Sequence, residues 1–429
     1  MKSQQDVPII YNLFPRHFKY IDEWAGMLSH IKEMKFNSVF VNPFHETGFS
    51  GSLYAVKDYY RLNPLFLCKD QNPTDFSILQ AFIDKCKKEN LDLIMDLVIN
   101  HTAVDSVLTK SHPAWYRHDD SGNLMNPYAI DPGDPGKVTV WGDLAIIDNE
   151  HSSDRDGLWK YWDELIAFYQ KMGIYGFRCD AAYQVPAPLW KYLISSAKKR
   201  FPQTQFYAET LGCQLWQIEA LAPVGFDYLF NSSKWWNFDQ SWALDQHETN
   251  RKIAPSVGFP ESHDTERMAS NPPGTEAAQK FRYAFAALFS KGILMPAGYE
   301  YGAVTRMDVV HGTPNDVDKP RFDISTWIKE INKLKSEIPV LGQEGHWRPL
   351  SNFSMPFLFL RKDSDGSDKP IFICVNKQLQ NDTVVEDWAM PEEVKRCNKV
   401  YQLQKSQPTA EAVLQGFILD PADILLFTE

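Results

Sequence analysis

Apolar positions along the first three hundred residues fall into two alternating kinds of run. Short runs read as strands: PIIYNLF (8–14), NSVFVNPF (37–44), LDLIMDLVIN (91–100), IYGFRCD (174–180), QFYAE (205–209), FDYLFN (226–231), SVGFPES (256–262) and GILMPAG (292–298). Between them apolar residues recur at helical spacing, as in Trp24, Met27, Leu28, Ile31 and Met34, in Phe76, Leu79, Phe82, Ile83 and Cys86, and in the 158–172 segment. This alternation predicts βαβ units on a parallel sheet, and eight strands are the number that closes a (β/α)8 barrel. Residues 101–150 break the rhythm with a stretch rich in Asp, Gly, Asn and Pro (MNPYAIDPGDPGKV), read as a loop-rich excursion after strand 3. Beyond a helix at 324–337, the runs PFLFLRKD, KPIFICVNK, KVYQLQ and DILLFTE are cut by turn residues and predict an antiparallel β domain. The expected division is a barrel over 1–100 and 151–338, an inserted excursion over 101–150 and a C-terminal β-sandwich over 339–429.

Charge narrows the partners. With a formal net charge of −11, the chain lacks the basic surface that nucleic acid or an anionic membrane requires, and a neutral ligand fits better. Aromatics make up 14% of residues, with 13 Trp, enough to supply flat faces for sugars or simply a Trp-rich core. The six cysteines show no paired spacing and read as reduced thiols. With no signal peptide or long apolar span, they suggest a cytoplasmic protein. Asn100, Asn231 and Asn381 each begin an Asn-x-Ser/Thr triplet; the first two fall at strand ends and read as chance.

In a barrel of this type the active site gathers at the C-terminal ends of the strands. There DLVINH places Asp96, Asn100 and His101, GFRCD places Arg178 and Asp180, FYAE places Glu209, and GFPESHD places His263 and Asp264. One acid at a strand end is often a helix cap. Several acids, two histidines and an arginine on one rim match what glycosidic cleavage needs: an acid for the leaving oxygen and a carboxylate for the cationic sugar carbon. The period-2 alternation puts Arg178 and Asp180 on one face, where the cation holds Asp180 ionised.

These four segments resemble, in order, the conserved regions of the α-amylase family, glycoside hydrolase family 13. GSLYAVKDYYRLNP (51–64) and GILMPAGYEYG (292–302) resemble two further segments of it. The resemblance implies a retaining glycosidase with Asp180 as nucleophile, Glu209 as acid and base, and Asp264 as transition-state stabiliser. Arg178, His101, His263 and Tyr54 would bind substrate and orient the acids. Asp58, Asp96 and Asn100 would support them, or else belong to the structural network of the rim. Tyr183 reads either as a stacking face or as a packed rim residue. The chain departs from the family at Tyr183-Gln184, usually Lys-His, at Ile146, usually a calcium-binding Asp, and at Ser262, usually Asn. No cofactor is therefore expected, and the family's calcium site is expected to be absent.

The leading expectation is hydrolysis of α-1,4-linked glucans or maltooligosaccharides. A transglycosylase of the 4-α-glucanotransferase or maltosyltransferase type uses the same covalent intermediate and stands as the alternative. A non-catalytic barrel protein is the reading from another class, and the presence of all three acids argues against it.

Overall fold

A computed structural model describes residues 7–131, 134–366, 369–412 and 415–429. Eight parallel strands close into a barrel: β1 (Ile9–Leu13), β2 (Ser38–Val41), β3 (Asp92–Leu97), β4 (Gly176–Cys179), β5 (Gln205–Glu209), β6 (Tyr228–Phe230), β7 (Ser256–Gly258) and β8 (Gly292–Pro296). All eight lie within the runs expected from sequence, and β1 pairs with both β2 and β8.

Side chains alternate between two environments, as the pleat requires. Ile10, Phe40, Ile94, Tyr207, Tyr228, Val257 and Leu294 fill the barrel interior. Their neighbours Ile9, Val39, Val41, Leu93, Met95, Phe177, Phe206 and Ile293 face outward against the helices. Each such side chain taken fully out of water contributes about 1.5–3 kcal/mol. At the level of the Tyr207 ring, β4 carries Gly176. A Cβ there would stand 3.0 Å from Tyr207 Cε2 and 3.2 Å from the Gln205 carbonyl, so the ring fills the barrel only because position 176 is bare. Following the same parity upward, Asp96, Arg178, Asp180 and Glu209 form the next interior layer, and Arg178 sits in register opposite Asp96 and Tyr207. An apolar plug thus floors an ionic layer that opens to the rim.

The helices follow their predicted stripes. Arg155–Met172 buries Leu158, Trp162, Leu165, Ile166 and Tyr169 and ends on Gly173 at φ 105°, the left-handed cap that glycine accepts without strain. One expectation changes. The Trp24–Met34 stripe is divided into Ile21–Trp24, a 3-10 turn at Ala25–Met27 and Leu28–Glu33, with Gly26 in the turn. Glycine's cost inside a helix fits a break there.

The 101–150 excursion, expected to lack regular structure, contains two antiparallel pairs. His101–Ala103 pairs with Leu144–Ile146, and Tyr128–Asp131 pairs with Asp134–Val140. The second has a period-2 signal, but it is short and interrupted by Pro and Gly. At the C-terminal end, Gly345–Pro349, Phe357–Ser364, Ile371–Asn376, Ile424–Thr428, Lys399–Gln402 and Ala410–Glu411 form a six-stranded sheet in that order. Thr383–Val385 and Phe417–Leu419 make a separate ribbon. Phe359, Phe372, Val385, Leu419 and Phe427 pack into one apolar cluster between the sheet and the ribbon. Trp347 joins this part to the barrel: its ring stacks on Phe289 with centroids 4.9 Å apart and its indole N–H donates to the Phe289 carbonyl.

Candidate active site

The ionic layer is organised by one cation. Arg178 Nη1 donates to both carboxylate oxygens of Asp96 at 2.9 and 3.2 Å and to Asp180 Oδ1 at 2.6 Å. Its Nη2 stands 4.0 Å from Glu209 Oε2 and 3.8 Å from Asp264 Oδ2. Four carboxylates from β3, the ends of β4 and β5, and the loop after β7 therefore share one guanidinium. The arginine is buried, Asp96 is fully buried, and Asp180 and Glu209 keep an open edge toward the rim, while the Asp264 side chain is 45% exposed.

A surplus of anions around one cation has a consequence for protons. Burial, helped by the charges of Asp180 and Asp264 and opposed by Arg178, pushes Glu209 up to about 8. Burial thus favours the protonated form of Glu209 at neutral pH. Burial also pushes Asp96 up, against the pull of Arg178.

The backbone places Glu209. Just after Asp180 the chain turns through Ala181 at φ 42°, left-handed and costly for a residue with a Cβ. That turn points the Ala181 N–H at Glu209 Oε2, 3.0 Å away, and the other oxygen accepts the Leu211 N–H. Both contacts leave the acid pinned between two loops.

Tyr54 and the two histidines form the second wall. The Tyr54 hydroxyl lies 2.6 Å from Asp96 Oδ2 and 2.6 Å from His263 Nε2, and its ring is parallel to the His263 ring with centroids 5.3 Å apart. His263 Nε2 is also 3.2 Å from Asp264 Oδ2. Burial lowers both His101 and His263, which favours their neutral rings. His101 Nε2 is buried and has no hydrogen-bond partner among the described residues. Asn100 donates its amide to Gln184 Oε1 at 2.8 Å. Asp58 lies elsewhere: its carboxylate accepts the Tyr60 N–H, and Tyr60, Tyr161 and Tyr169 feel its charge.

Clefts flank the cluster. One, of about 380 Å³, is lined by Asn100, Tyr183, Gln184, Tyr128 and Trp216. A second, of about 540 Å³, runs from Asp264 past Lys234, Trp235 and Arg306, and another, of about 580 Å³, is lined by His263, Asp264 and Met307. Tyr183 thus faces a cleft and is not a closed packing residue. The Trp235-Trp236 pair divides: Trp236 is fully buried, while Trp235 lines the second cleft. Sequence reasoning did not single out Trp216 or Arg306. It also passed over Asn42, whose amide reaches the Tyr54 hydroxyl at 3.0 Å. Asn42 sits just past β2, the same strand-end position that marked the acids, and that placement was the available signal.

Comparisons with known proteins agree with this picture. Residues 6–132 match the model of the glycogen debranching enzyme glucanotransferase domain. Relatives include the α-1,4-glucan:maltose-1-phosphate maltosyltransferases of Burkholderia pseudomallei, 24% identical over 72% of this chain, and Myxococcus xanthus, 23% identical over 85% of it. The aligned parts make up 28% and 58% of those proteins, so the chain corresponds to part of their length. Among solved structures, an α-amylase from Lactobacillus plantarum superposes with a TM-score of 0.77 at 19% identity, covering 98% of both chains. An α-amylase from Geobacillus thermoleovorans does so at 0.76 and 17%, covering 100% of this chain and 99% of that one. The chain is thus similar in fold to α-amylases and in sequence to a glucanotransferase domain and to maltosyltransferases.

Proposed function

We propose that this protein is a retaining α-glucan transglycosylase that moves α-1,4-linked glucosyl or maltosyl units from one sugar chain to another. The observation that carries the covalent two-step chemistry is the sharing of Arg178 among four carboxyl groups, with burial favouring the protonated form of Glu209. In the first step the Asp180 carboxylate attacks the anomeric carbon. The bond to the leaving oxygen breaks, and Glu209 gives that oxygen its proton. In the second step Glu209, now ionised, takes a proton from an acceptor hydroxyl, whose oxygen displaces Asp180 from the sugar. Asp264 and the neutral His263 and His101 hold the sugar hydroxyls; the unpartnered Nε2 of His101 supports that role. Tyr54, tied to Asp96 and His263, presents its ring beside the sugar. Asp96 positions Arg178, and Asn100 and Gln184 brace the rim.

Hydrolysis differs only in that water supplies the second hydroxyl. Transfer is favoured because the matched family model is a glucanotransferase domain and the relatives are named maltosyltransferases. No metal enters the mechanism. Where the family's aspartate calcium ligand would stand, Ile146 offers only hydrocarbon, which does not suit a hard cation.

Incubation with maltotriose, alone and with maltose 1-phosphate as donor, tests the proposal. Oligomers longer than the acceptor are expected from at least one donor. Glucose and maltose as sole products would establish hydrolysis instead, and no turnover of either donor would sink both readings.

A further inference from the structure

Above the apolar plug, β1 and β2 add two amides to the ionic layer. The alternation that points Ile10 and Phe40 into the barrel also points Asn12 and Asn42 inward, and both are buried. They form a chain of contacts that ends on the Tyr54 hydroxyl. Asn12 Nδ2 donates to the Phe40 carbonyl at 3.2 Å and to Asn42 Oδ1 at 2.8 Å, and Asn42 Nδ2 donates to the Tyr54 oxygen at 3.0 Å. Asn12 Oδ1 is buried without a partner among the described residues, a cost that an apolar packing residue would not carry.

The direction of this chain is fixed at its far end. A backbone carbonyl only accepts, so the Phe40 carbonyl requires the NH2 group of Asn12 on that side. The same NH2 group faces Asn42, whose carbonyl end must meet it; a flipped Asn42 would set two NH2 groups against each other. Asn42 therefore turns its own NH2 group to Tyr54, and the Tyr54 oxygen accepts there. That hydroxyl keeps one proton and one lone pair for its two other neighbours, Asp96 Oδ2 and His263 Nε2, both at 2.6 Å. Asp96, held by Arg178 Nη1 at both oxygens, accepts the Tyr54 proton. The remaining lone pair then accepts from His263, which requires the proton of the neutral ring on Nε2. Asp264 Oδ2, 3.2 Å from the same nitrogen, also meets a donor in that tautomer.

We propose that Asn12 and Asn42 are positioning residues for the reaction: acting through Tyr54, they fix the Nε2–H tautomer of His263, so that Tyr54 donates to Asp96 and His263 presents its proton to Tyr54 and Asp264. The kinetic consequence rests on the proposed transfer reaction; the proton assignment does not.

Nitrogen-15 NMR of the histidine-labelled full-length protein reads the tautomer without any substrate. The His263 signal, identified by its loss in His263→Gln, is expected to show the proton on Nε2; a proton on Nδ1 would overturn the relay. Kinetics with maltotriose or maltose 1-phosphate as donor reads the consequence. Asn42→Ala is expected to lower kcat/KM about tenfold, mostly through kcat, and Asn12→Ala to act less strongly in the same direction. In a Tyr54→Phe background the link they act through is gone, so each further loss is expected to shrink below about twofold. Losses that persist in full in that background, or that are missing in the unmodified protein, would show the two amides to be merely structural. Asn12→Ala carries the same comparison where Asn42→Ala does not fold. An unmodified protein that turns over neither donor would overturn the proposed function, while the NMR tautomer still decides the relay.

Discussion

Two buried arginines stand at the same rim and do different work. Arg267 is almost fully buried. It gives Nη1 to Glu261 at 2.7 Å and Nη2 to the Ala297 carbonyl at 2.8 Å, and Glu261 accepts the Met268 N–H with its other oxygen. One cation meets one anion, and the pair bolts the loop that carries His263 and Asp264 to β8. Arg178 meets four carboxyl groups, three of them with an edge toward open space. Burial of an ion pair therefore says little about function. The informative feature is an imbalance of charge that reaches a cleft, because it leaves one acid holding a proton and another holding a charge.

The sharpest way to break the comparison is Asp180→Asn. It removes the nucleophile and one anion from an oversupplied cluster, so kcat is expected to fall about 10⁴-fold or more while the melting temperature holds or rises. Steady-state kinetics and a thermal melt on the same sample decide it; a large loss of stability would show that Asp180 is structural. Glu261→Ala is expected to do the reverse. It leaves Arg267 buried without its anion and should cost about 3–5 kcal/mol, seen as an earlier urea midpoint.

The proton on Glu209 predicts a pH signature. Its folded pKa of about 8 lies above the carboxylate reference of 4.5, so the unfolded chain releases the proton first as pH rises. Stability is therefore lost between about pH 4.5 and 8, and Glu209→Gln should remove that loss. The variant is expected to melt several degrees above the parent at pH 8, with the gap closing near pH 4.5. In the active enzyme kcat/KM should fall on the alkaline side near pH 8, as the acid loses its proton. Asp264→Asn should move that limb to lower pH, because the Asp264 charge helps raise Glu209. The smallest effect is expected for Tyr54→Phe. It cuts the hydroxyl link between Asp96 and His263 and should cost about tenfold in kcat/KM, with kcat and KM measured separately to tell orientation from binding.

Much of the barrel was legible because its strands are buried on both faces and read as short apolar runs between turn residues. The acids were legible because each ends such a run. Other features depended on contacts that no local pattern encodes. The two tryptophans at 235 and 236 are adjacent and chemically identical, yet one is core and the other lines a cleft. The hairpin at 128–140 alternates for too few residues to rise above its prolines and glycines. Gln184 stands where the family usually has His, and only the structure shows its side chain accepting the Asn100 amide.

The sequence by itself determined which ionisable groups this protein has at its strand ends, and their parity: Asp96, Arg178, Asp180 and Glu209 must point into the barrel if their apolar neighbours point out. The tertiary structure alone decided that they act as one unit. Residues 82 positions apart, Asp96 and Arg178, face each other only because the β3–β4 register sets them side by side. Glu209 keeps its proton only because barrel closure buries it among charges that a single guanidinium cannot balance, and a pKa is set by that whole surrounding field.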